Sequence, residues 1–207
     1  VFGLNRDIRD KCLRLAEMGY AALAPDLYDG RGPMPICIVR TMWSLTTGRG
    51  AAFDDLDAAR EYLAARKEVD GSRIGVIGFC MGGGFALLYA ARAPLGAAAV
   101  FYGRVPADRA AIERTCPIVA SYGGKDPLVR GDSERLERYL EGLGIEHDVR
   151  LYPDATHSFM SDHKGLVAAL TSWGPLKVAY NPEAADDSWR RVEAFFAQHL
   201  GAPAQTS

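Results

Sequence analysis

Residues 74–91 read IGVIGFCMGGGFALLYAA, and their pattern changes type around a single cysteine. The apolar, β-branched run before Cys80 is typical of a buried strand, whereas the Ala- and Leu-rich run after it has helical spacing. Glycines at 78 and at 82–84 predict a tight turn between these two elements. The stretch therefore predicts a strand, a tight turn and a helix, with Cys80 at the tip of the turn.

A cysteine at the tip of such a turn is well placed to act as a nucleophile. Small residues at Gly78 and Gly82 let the strand and the helix pass closely, so that the side chain at the tip projects outward. The free N–H groups and the dipole at the start of the helix stabilise an anion, which lowers the pKa of the Cys80 thiol. The N–H of Met81 points to the same place and could bind the oxyanion of an acyl-transfer intermediate.

The same stretch is also compatible with a packing role for Cys80 or with a dinucleotide-binding turn. A single cysteine in an apolar run is often a small packing residue, and the stretch alone does not separate that role from a nucleophile. The glycines also approach the G-x-G-x-x-G pattern of dinucleotide-binding proteins, but that pattern requires a glycine where Cys80 stands. The choice therefore depends on whether acid–base partners for Cys80 occur elsewhere in the chain.

The composition narrows the class of protein. With 207 residues, 48% of them hydrophobic, the chain can build one substantial core, so we expect a single domain over residues 1–207. A net charge of −2 with interspersed signs argues against a nucleic-acid partner and favours a small molecule. The four scattered cysteines are unlike a disulfide framework and fit a reducing, cytoplasmic compartment.

The sequence indicates neither a membrane-spanning helix nor a metal-binding site. No apolar run approaches the ~20 residues that a membrane-spanning helix needs. No paired spacing of histidines and cysteines suggests a metal site, and we expect no cofactor. The protein is expected to be a monomer or a small homo-oligomer.

The N-terminal part of the chain predicts a helix followed by a strand. Asn5 is a suitable cap for a helix whose apolar positions have helical spacing. Residues 20–24 are short and apolar and predict a buried strand that stops at Pro25. A helix that opens an α/β chain should cross over from an earlier strand, so we expect further strands before Val1.

The rest of the chain alternates helices and strands. Residues 26–50 are rich in glycine and proline and predict an irregular segment, either a lid over a site or a surface excursion. The spacing of apolar residues predicts helices over 51–68, 132–143 and 182–200, strands over 97–102, 118–122 and 147–152, and a loose tail over 201–207. This alternation is typical of an α/β fold with a mostly parallel sheet flanked by helices on both faces.

Two loops that follow predicted strands carry an acid and a base. Asp126 follows the strand over 118–122, and His157 follows the strand over 147–152. In an open α/β sheet the site lies beyond the carboxyl ends of the strands. Each residue alone suits a turn or a loop, but Cys80, Asp126 and His157 together follow the chain order of an α/β-hydrolase triad. His157 would exchange a proton with the thiol, and Asp126 would orient the imidazole.

Five segments, spread over nearly the whole chain, resemble the dienelactone hydrolase family of α/β-hydrolases. They are Phe2-Gly3-Leu4-Asn5 with Ile8-Arg9-Asp10, Ala24-Pro25-Asp26-Leu27-Tyr28, Gly78-Phe79-Cys80-Met81-Gly82-Gly83, Gly124-Lys125-Asp126-Pro127 and His157-Ser158-Phe159. The resemblance implies the α/β-hydrolase fold and cofactor-free hydrolysis of a small ester or lactone through Cys80, Asp126 and His157. It also implies an oxyanion hole formed by the N–H groups of Met81 and Val1.

The resemblance further implies where a substrate would be bound. Phe2, Ser158 and Phe159 belong to matching segments, and Trp43 lies in the predicted lid segment. These residues are therefore candidate substrate contacts, together with Arg40, which lies close to Trp43 in the sequence.

Departures from the family pattern keep a second function open. Family members that cleave dienelactone bind the substrate carboxylate with two arginines, and this chain has Ser161 and Ile36 at those places. A glutamate that interacts with the nucleophile in the family would stand just before Val1. A non-catalytic protein of the same fold that binds a ligand or a partner is therefore the alternative to an ester or lactone hydrolase.

Overall fold

The structure, a computed structural model, describes residues 4–28, 32–162 and 178–201. It divides into two compact units, Val1–Ile74 with Gly201–Ser207, and Gly75–Leu200. The predicted loose tail lies outside the described residues from position 202 onward. In the described part of the chain, no helix is both long enough and apolar enough to cross a membrane.

Three helices form the described part of the first unit: α1 (Arg6–Glu17), α2 (Met34–Thr47) and α3 (Ala51–Ala64). Asn5 caps α1, because its side-chain oxygen accepts the N–H of Ile8 at 3.0 Å. The helix predicted to start at residue 51 is confirmed, although it ends earlier than the predicted residue 68.

The prediction of an irregular segment over 26–50 is wrong for most of its length, since α2 occupies it. Pro33 is the N-cap of α2 and Pro35 lies in its first turn, where the missing N–H has no intrahelical partner to lose. Gly48 ends the helix with a φ of 66°, a left-handed conformation that glycine adopts freely. These prolines and this glycine therefore delimit a helix, and the role of the segment as a lid stays a prediction.

The strand predicted over 20–24 is also wrong, because these residues form neither helix nor strand. Leu23, the largest aliphatic side chain of the segment, is 41% exposed. A strand is held by hydrogen bonds to a neighbouring strand, and residues 20–24 take no place in any β-ladder of the described chain. An apolar run without such a partner does not form a strand.

The described part of the second unit contains a sheet of four parallel strands: β1 (Gly75–Phe79), β2 (Ala97–Phe101), β3 (Ile118–Gly123) and β4 (His147–Tyr152). Their order in the sheet is β1-β2-β3-β4, so each strand lies beside its neighbour in the chain. β2 and β3 are buried along their whole length, as expected where both faces of a parallel sheet are covered. The predicted fold class, an α/β fold with a parallel sheet, is confirmed.

Helices α4 (Met81–Ala90), α5 (Asp132–Leu143) and α6 (Pro182–Leu200) surround this sheet, and a short 3-10 helix over Arg109–Ile112 precedes β3. The apolar side of α6 is buried: Trp189, Val192, Phe195 and Phe196 are all at most 8% exposed. The ring of Trp189 packs near Phe79 and Phe101 at the ends of β1 and β2, with centroid distances of 6.2 and 6.3 Å. The Trp189 ring therefore covers one face of the sheet near the carboxyl ends of β1 and β2.

Candidate active site

Cys80 lies at the turn between β1 and α4 and has a φ of 56° and a ψ of −120°. Residues with a side chain rarely adopt this conformation, so its neighbours must hold it in place. The N–H of Cys80 donates to the carbonyl of Phe101 at 3.0 Å, and its own carbonyl accepts the N–H of Gly83 at 2.9 Å. The predicted tight turn with Cys80 at its tip is therefore present and is tied to the end of β2.

Two glycines allow the strand and helix to approach at this turn. A Cβ added to Gly78 would lie 2.0 Å from the carbonyl oxygen of Gly82, which only a glycine at position 78 avoids. The expectation that Gly82 must also be small is wrong, because a Cβ added there would meet nothing within 4 Å. The second tight contact is instead at Gly83, where a Cβ would lie 2.9 Å from the Cα of Gly103.

The carboxyl ends of β1, β3 and β4 bring Cys80, Asp126 and His157 together. The Nε2 of His157 lies 3.0 Å from the Sγ of Cys80. The Nδ1 of His157 lies 2.6 Å from the Oδ2 of Asp126. The side chains of His157 and Asp126 are 8% and 0% exposed, so this line of hydrogen bonds is largely shielded from solvent.

Asp126 uses its two carboxylate oxygens for different purposes. Its Oδ1 accepts the N–H of Leu128 at 2.9 Å, the local hydrogen bond expected of an aspartate in a turn. Its Oδ2 faces the imidazole of His157. The turn thus fixes the carboxylate in the orientation that the histidine contact requires.

The pKa values of Cys80 and His157 move in opposite directions. Burial raises the pKa of the Cys80 thiol, but His157 and the N–H of Met81 outweigh burial, and the pKa lies below its ordinary value. Burial lowers the pKa of His157, but the hydrogen bonds to Asp126 and Cys80 outweigh it and raise the pKa to about 9. Both shifts favour a thiolate on Cys80 beside an imidazolium on His157.

Aromatic rings support the histidine. The ring of Tyr102 lies edge-on to the imidazole of His157, with a centroid distance of 5.2 Å. Tyr102 is 1% exposed and has a φ of 40° directly after β2. No motif in the sequence singles out this residue, although its position at the carboxyl end of a strand is the signal that could have identified it.

The other candidates near His157 differ in exposure. Ser158 is half-buried and has a φ of 59°. Phe159 is fully buried and packs 5.4 Å from the ring of Tyr102, which fits a supporting position better than direct contact with a substrate. Ser161, at a place where the family has an arginine, is also buried, at 4% exposed.

The remaining candidates belong to the first unit. Arg40 and Trp43 lie on α2, and both are exposed. Arg40 lines a cavity of about 450 Å³ together with Thr41 and Ser44 of the same helix. Val1 and Phe2 lie outside the described residues, so the second oxyanion donor and these substrate contacts stay predictions. Within the described ranges, no group of three or more histidine, cysteine or acidic side chains is arranged to hold a metal ion.

Comparisons with known proteins agree with this architecture. The model of the dienelactone hydrolase family matches residues 1–200. A protein of Methylorubrum extorquens named "Putative carboxymethylenebutenolidase" is 30% identical over 96% of this chain and 69% of its own length. A protein of the same name from Escherichia coli is 31% identical over 97% of this chain and 75% of its own length.

The fold also resembles solved structures. The crystal structure of an alpha/beta hydrolase enzyme from a Medee basin deep-sea metagenome library superposes with a TM-score of 0.56 and 17% identity. The similarity covers 72% of this chain and 64% of that one, and at this identity it is a likeness of fold. The match of the family over almost the whole chain shows more: this protein belongs to the dienelactone hydrolase family and is a hydrolase of carboxylic esters or lactones.

Proposed function

We propose that this protein cleaves a small ester or lactone by acyl transfer through Cys80, with His157 and Asp126 as its acid–base partners. The observation that carries the proposal is the continuous line from Sγ to Nε2 at 3.0 Å and from Nδ1 to Oδ2 at 2.6 Å. A nucleophile, a base and an orienting carboxylate in this sequence are what nucleophilic acyl transfer requires.

In the first step, the Cys80 thiolate attacks the carbonyl carbon of the substrate. The negative charge moves to the carbonyl oxygen, where the N–H of Met81 at the start of α4 stabilises it. When the tetrahedral intermediate collapses, the imidazolium of His157 gives its Nε2 proton to the leaving oxygen. The products of this step are a thioester on Cys80 and a hydroxyl group, which in a lactone stays attached to the acyl chain.

In the second step, water attacks the thioester. The neutral imidazole of His157 removes a proton from the water, and the second tetrahedral intermediate expels the Cys80 thiolate. The carboxylate of Asp126 keeps Nδ1 as the protonated nitrogen throughout, so that Nε2 faces the reacting atoms. A thiol nucleophile must be reduced, and the reducing compartment that the scattered cysteines predict would keep it so.

The decisive experiment replaces Cys80 with alanine and measures hydrolysis of p-nitrophenyl acetate. We expect Cys80→Ala to lose at least about a thousandfold in kcat while circular dichroism and the melting temperature show an intact fold. Cys116→Ala is the matched control, because burial raises the pKa of the Cys116 thiol to about 11 and leaves it unreactive. Unchanged turnover in Cys80→Ala would overturn the proposal.

Alkylation by iodoacetamide separates this function from the alternative. The lowered pKa of Cys80 and the raised pKa of Cys116, at about 11, predict that Cys80 is alkylated faster than Cys116. Alkylation of Cys80 no faster than that of Cys116 would favour a non-catalytic protein that binds a ligand or a partner.

A further inference from the structure

A polar cluster with a largely buried centre joins α6 to β3 and β4. At its centre is the guanidinium of Arg191, whose side chain is 9% exposed. Each of its five N–H groups has an acceptor: Asp148 Oδ2 at 2.7 Å, Asp148 O at 2.6 Å, Ser121 Oγ at 2.9 Å, Ala120 O at 3.1 Å and Tyr152 OH at 3.3 Å. A planar group with all its donors in use fixes the helix and both strands in one geometry.

The hydroxyl of Tyr152 is held from three directions by α6. It donates to the Oδ2 of Asp187 at 2.7 Å. It also lies 3.1 Å from the Oγ of Ser188 and 3.3 Å from the Nη1 of Arg191. One donor and two acceptor positions are all that a phenol offers, so the orientation of this side chain is fully determined.

The backbone of Tyr152 connects the two loops that carry the acid and the base. Its carbonyl oxygen accepts the N–H of Gly124 at 2.8 Å and the N–H of Ala155 at 3.1 Å. Gly124 precedes Asp126 by two residues, and Ala155 precedes His157 by two residues. One carbonyl at the end of β4 therefore sets the position of both loops.

The ring of Tyr152 supports the same region through a row of aromatic contacts. Its centroid lies 5.4 Å from that of Phe159, and Phe159 lies 5.4 Å from Tyr102. Tyr102 in turn lies 5.2 Å from the imidazole of His157. A shift of the Tyr152 ring would be transmitted to the imidazole, because packed interiors have little free space to absorb it.

We propose that Tyr152 is a positioning residue for the Cys80–His157–Asp126 site. Helix α6 fixes its hydroxyl, and its carbonyl and ring then fix the two loops that carry the acid and the base. This inference rests on the proposed function. Tyr152 itself makes no contact with the Sγ or the imidazole; it sets the distance between them, on which proton transfer depends.

The test removes only the hydroxyl, with the variant Tyr152→Phe. Two quantities are measured: the pH midpoint of Cys80 alkylation by iodoacetamide, and kcat and KM for p-nitrophenyl acetate. We expect the midpoint to rise by about one pH unit, because a displaced imidazole stabilises the thiolate less. We expect kcat to fall about tenfold or more, with KM changed less than about twofold, since substrate binding is untouched.

Tyr139→Phe is the matched control. Its hydroxyl donates to the carbonyl of Ala107 at 2.6 Å in an exposed hydrogen bond on α5, so the same chemical change should move neither quantity. If Tyr152→Phe lowers the melting temperature but leaves the midpoint and kcat unchanged in the folded range, Tyr152 is only structural and the proposal is overturned.

A second variant covers the case in which Tyr152→Phe does not fold. Phe159→Leu keeps an apolar side chain but interrupts the aromatic row, and it must raise the alkylation midpoint in the same direction; an unmoved midpoint overturns the proposal. The alkylation assay reads the Cys80 thiol directly and needs no turnover. A failure of the hydrolytic function, seen as activity retained in Cys80→Ala, is thus distinguishable from a failure of Tyr152 as a positioning residue.

Discussion

The variant Asp126→Asn removes one negative charge while it keeps the shape of the side chain, and we expect it to lower kcat/KM by about a hundredfold. The carboxylate is fully buried, and its Oδ2 lies 2.6 Å from the Nδ1 of His157. Little solvent screens this contact. An amide donates as well as accepts, so it also permits the tautomer that carries the proton on the wrong nitrogen.

The magnitude follows from the pKa of His157. Burial lowers this pKa, but the hydrogen bonds to Asp126 and Cys80 outweigh burial and raise it from 6.5 to about 9. That rise corresponds to about 3 kcal/mol in favour of the imidazolium. A hydrogen bond to a charged group contributes about 1.5–3 kcal/mol, so the loss of Asp126 removes about 1.5 kcal/mol, and the wrong tautomer adds a similar amount. Together these give about a hundredfold in rate.

The assay is kcat/KM for p-nitrophenyl acetate as a function of pH, with the imidazole followed by NMR. We expect the pKa of His157 to fall from about 9 toward its ordinary 6.5 in the variant. The matched control is Asp154→Asn, because the Asp154 side chain is 84% exposed and pairs with Lys125 at the surface. Its effect should stay within about twofold. A folded Asp126→Asn protein with the wild-type rate and pH profile would refute the role of Asp126.

Two further predictions concern pH and backbone packing. On the acid side, the rate should fall as Cys80 is protonated, at a pH below the ordinary pKa of a thiol. On the alkaline side, it should fall as His157 loses its proton near pH 9. A rate that keeps rising through pH 9 would contradict the general-acid role of the imidazolium. Gly78→Ala should destabilise the protein by more than about 2 kcal/mol in denaturant unfolding, because its Cβ would lie 2.0 Å from a carbonyl oxygen. Gly82→Ala, which meets nothing within 4 Å, should be neutral or slightly stabilising, and an equal loss in both variants would contradict this account of the turn.

The sheet and its helices could be predicted from the sequence because their signals are local. The strand over 147–152 and the helices over 132–143 and 182–200 were predicted with the boundaries that the structure has. The candidate residues Asp126 and His157 came from the same information, since each lies in the loop that follows a strand. The carboxyl ends of parallel strands meet at one edge of a sheet, so a position along the chain becomes a position in space.

The two failures have different causes, and only the first is a missing contact with a distant part of the chain. The apolar run over 20–24 has the composition of a strand, but a strand forms only beside another. For α2, the number of glycines and prolines over 26–50 suggested an irregular segment. A proline breaks a helix in its interior, however, and begins one in its first turn. Composition over 26–50 does not distinguish these positions, whereas the exact places of Pro33 and Pro35 do.

The buried Arg191 shows most clearly which contacts cannot be predicted from the sequence. Arg191 and Tyr152 lie 39 positions apart in the chain, and an arginine on an amphipathic helix is ordinarily expected in solvent. Burying its charge is favourable only where every donor finds an acceptor, and here those acceptors come from both β3 and β4. No single element of the sequence carries that information.

Asp126 shows how a local role and a catalytic role can coexist in one residue. The sequence offered a turn residue before Pro127 and a member of a triad as competing interpretations, yet the two oxygens of the carboxylate serve each purpose separately. The turn hydrogen bond to Leu128 removes the rotational freedom that would otherwise oppose the contact with His157. Because the turn already restricts the rotation of the side chain, the contact with the imidazole costs little further conformational entropy. A tight turn is therefore a favourable place for an orienting carboxylate.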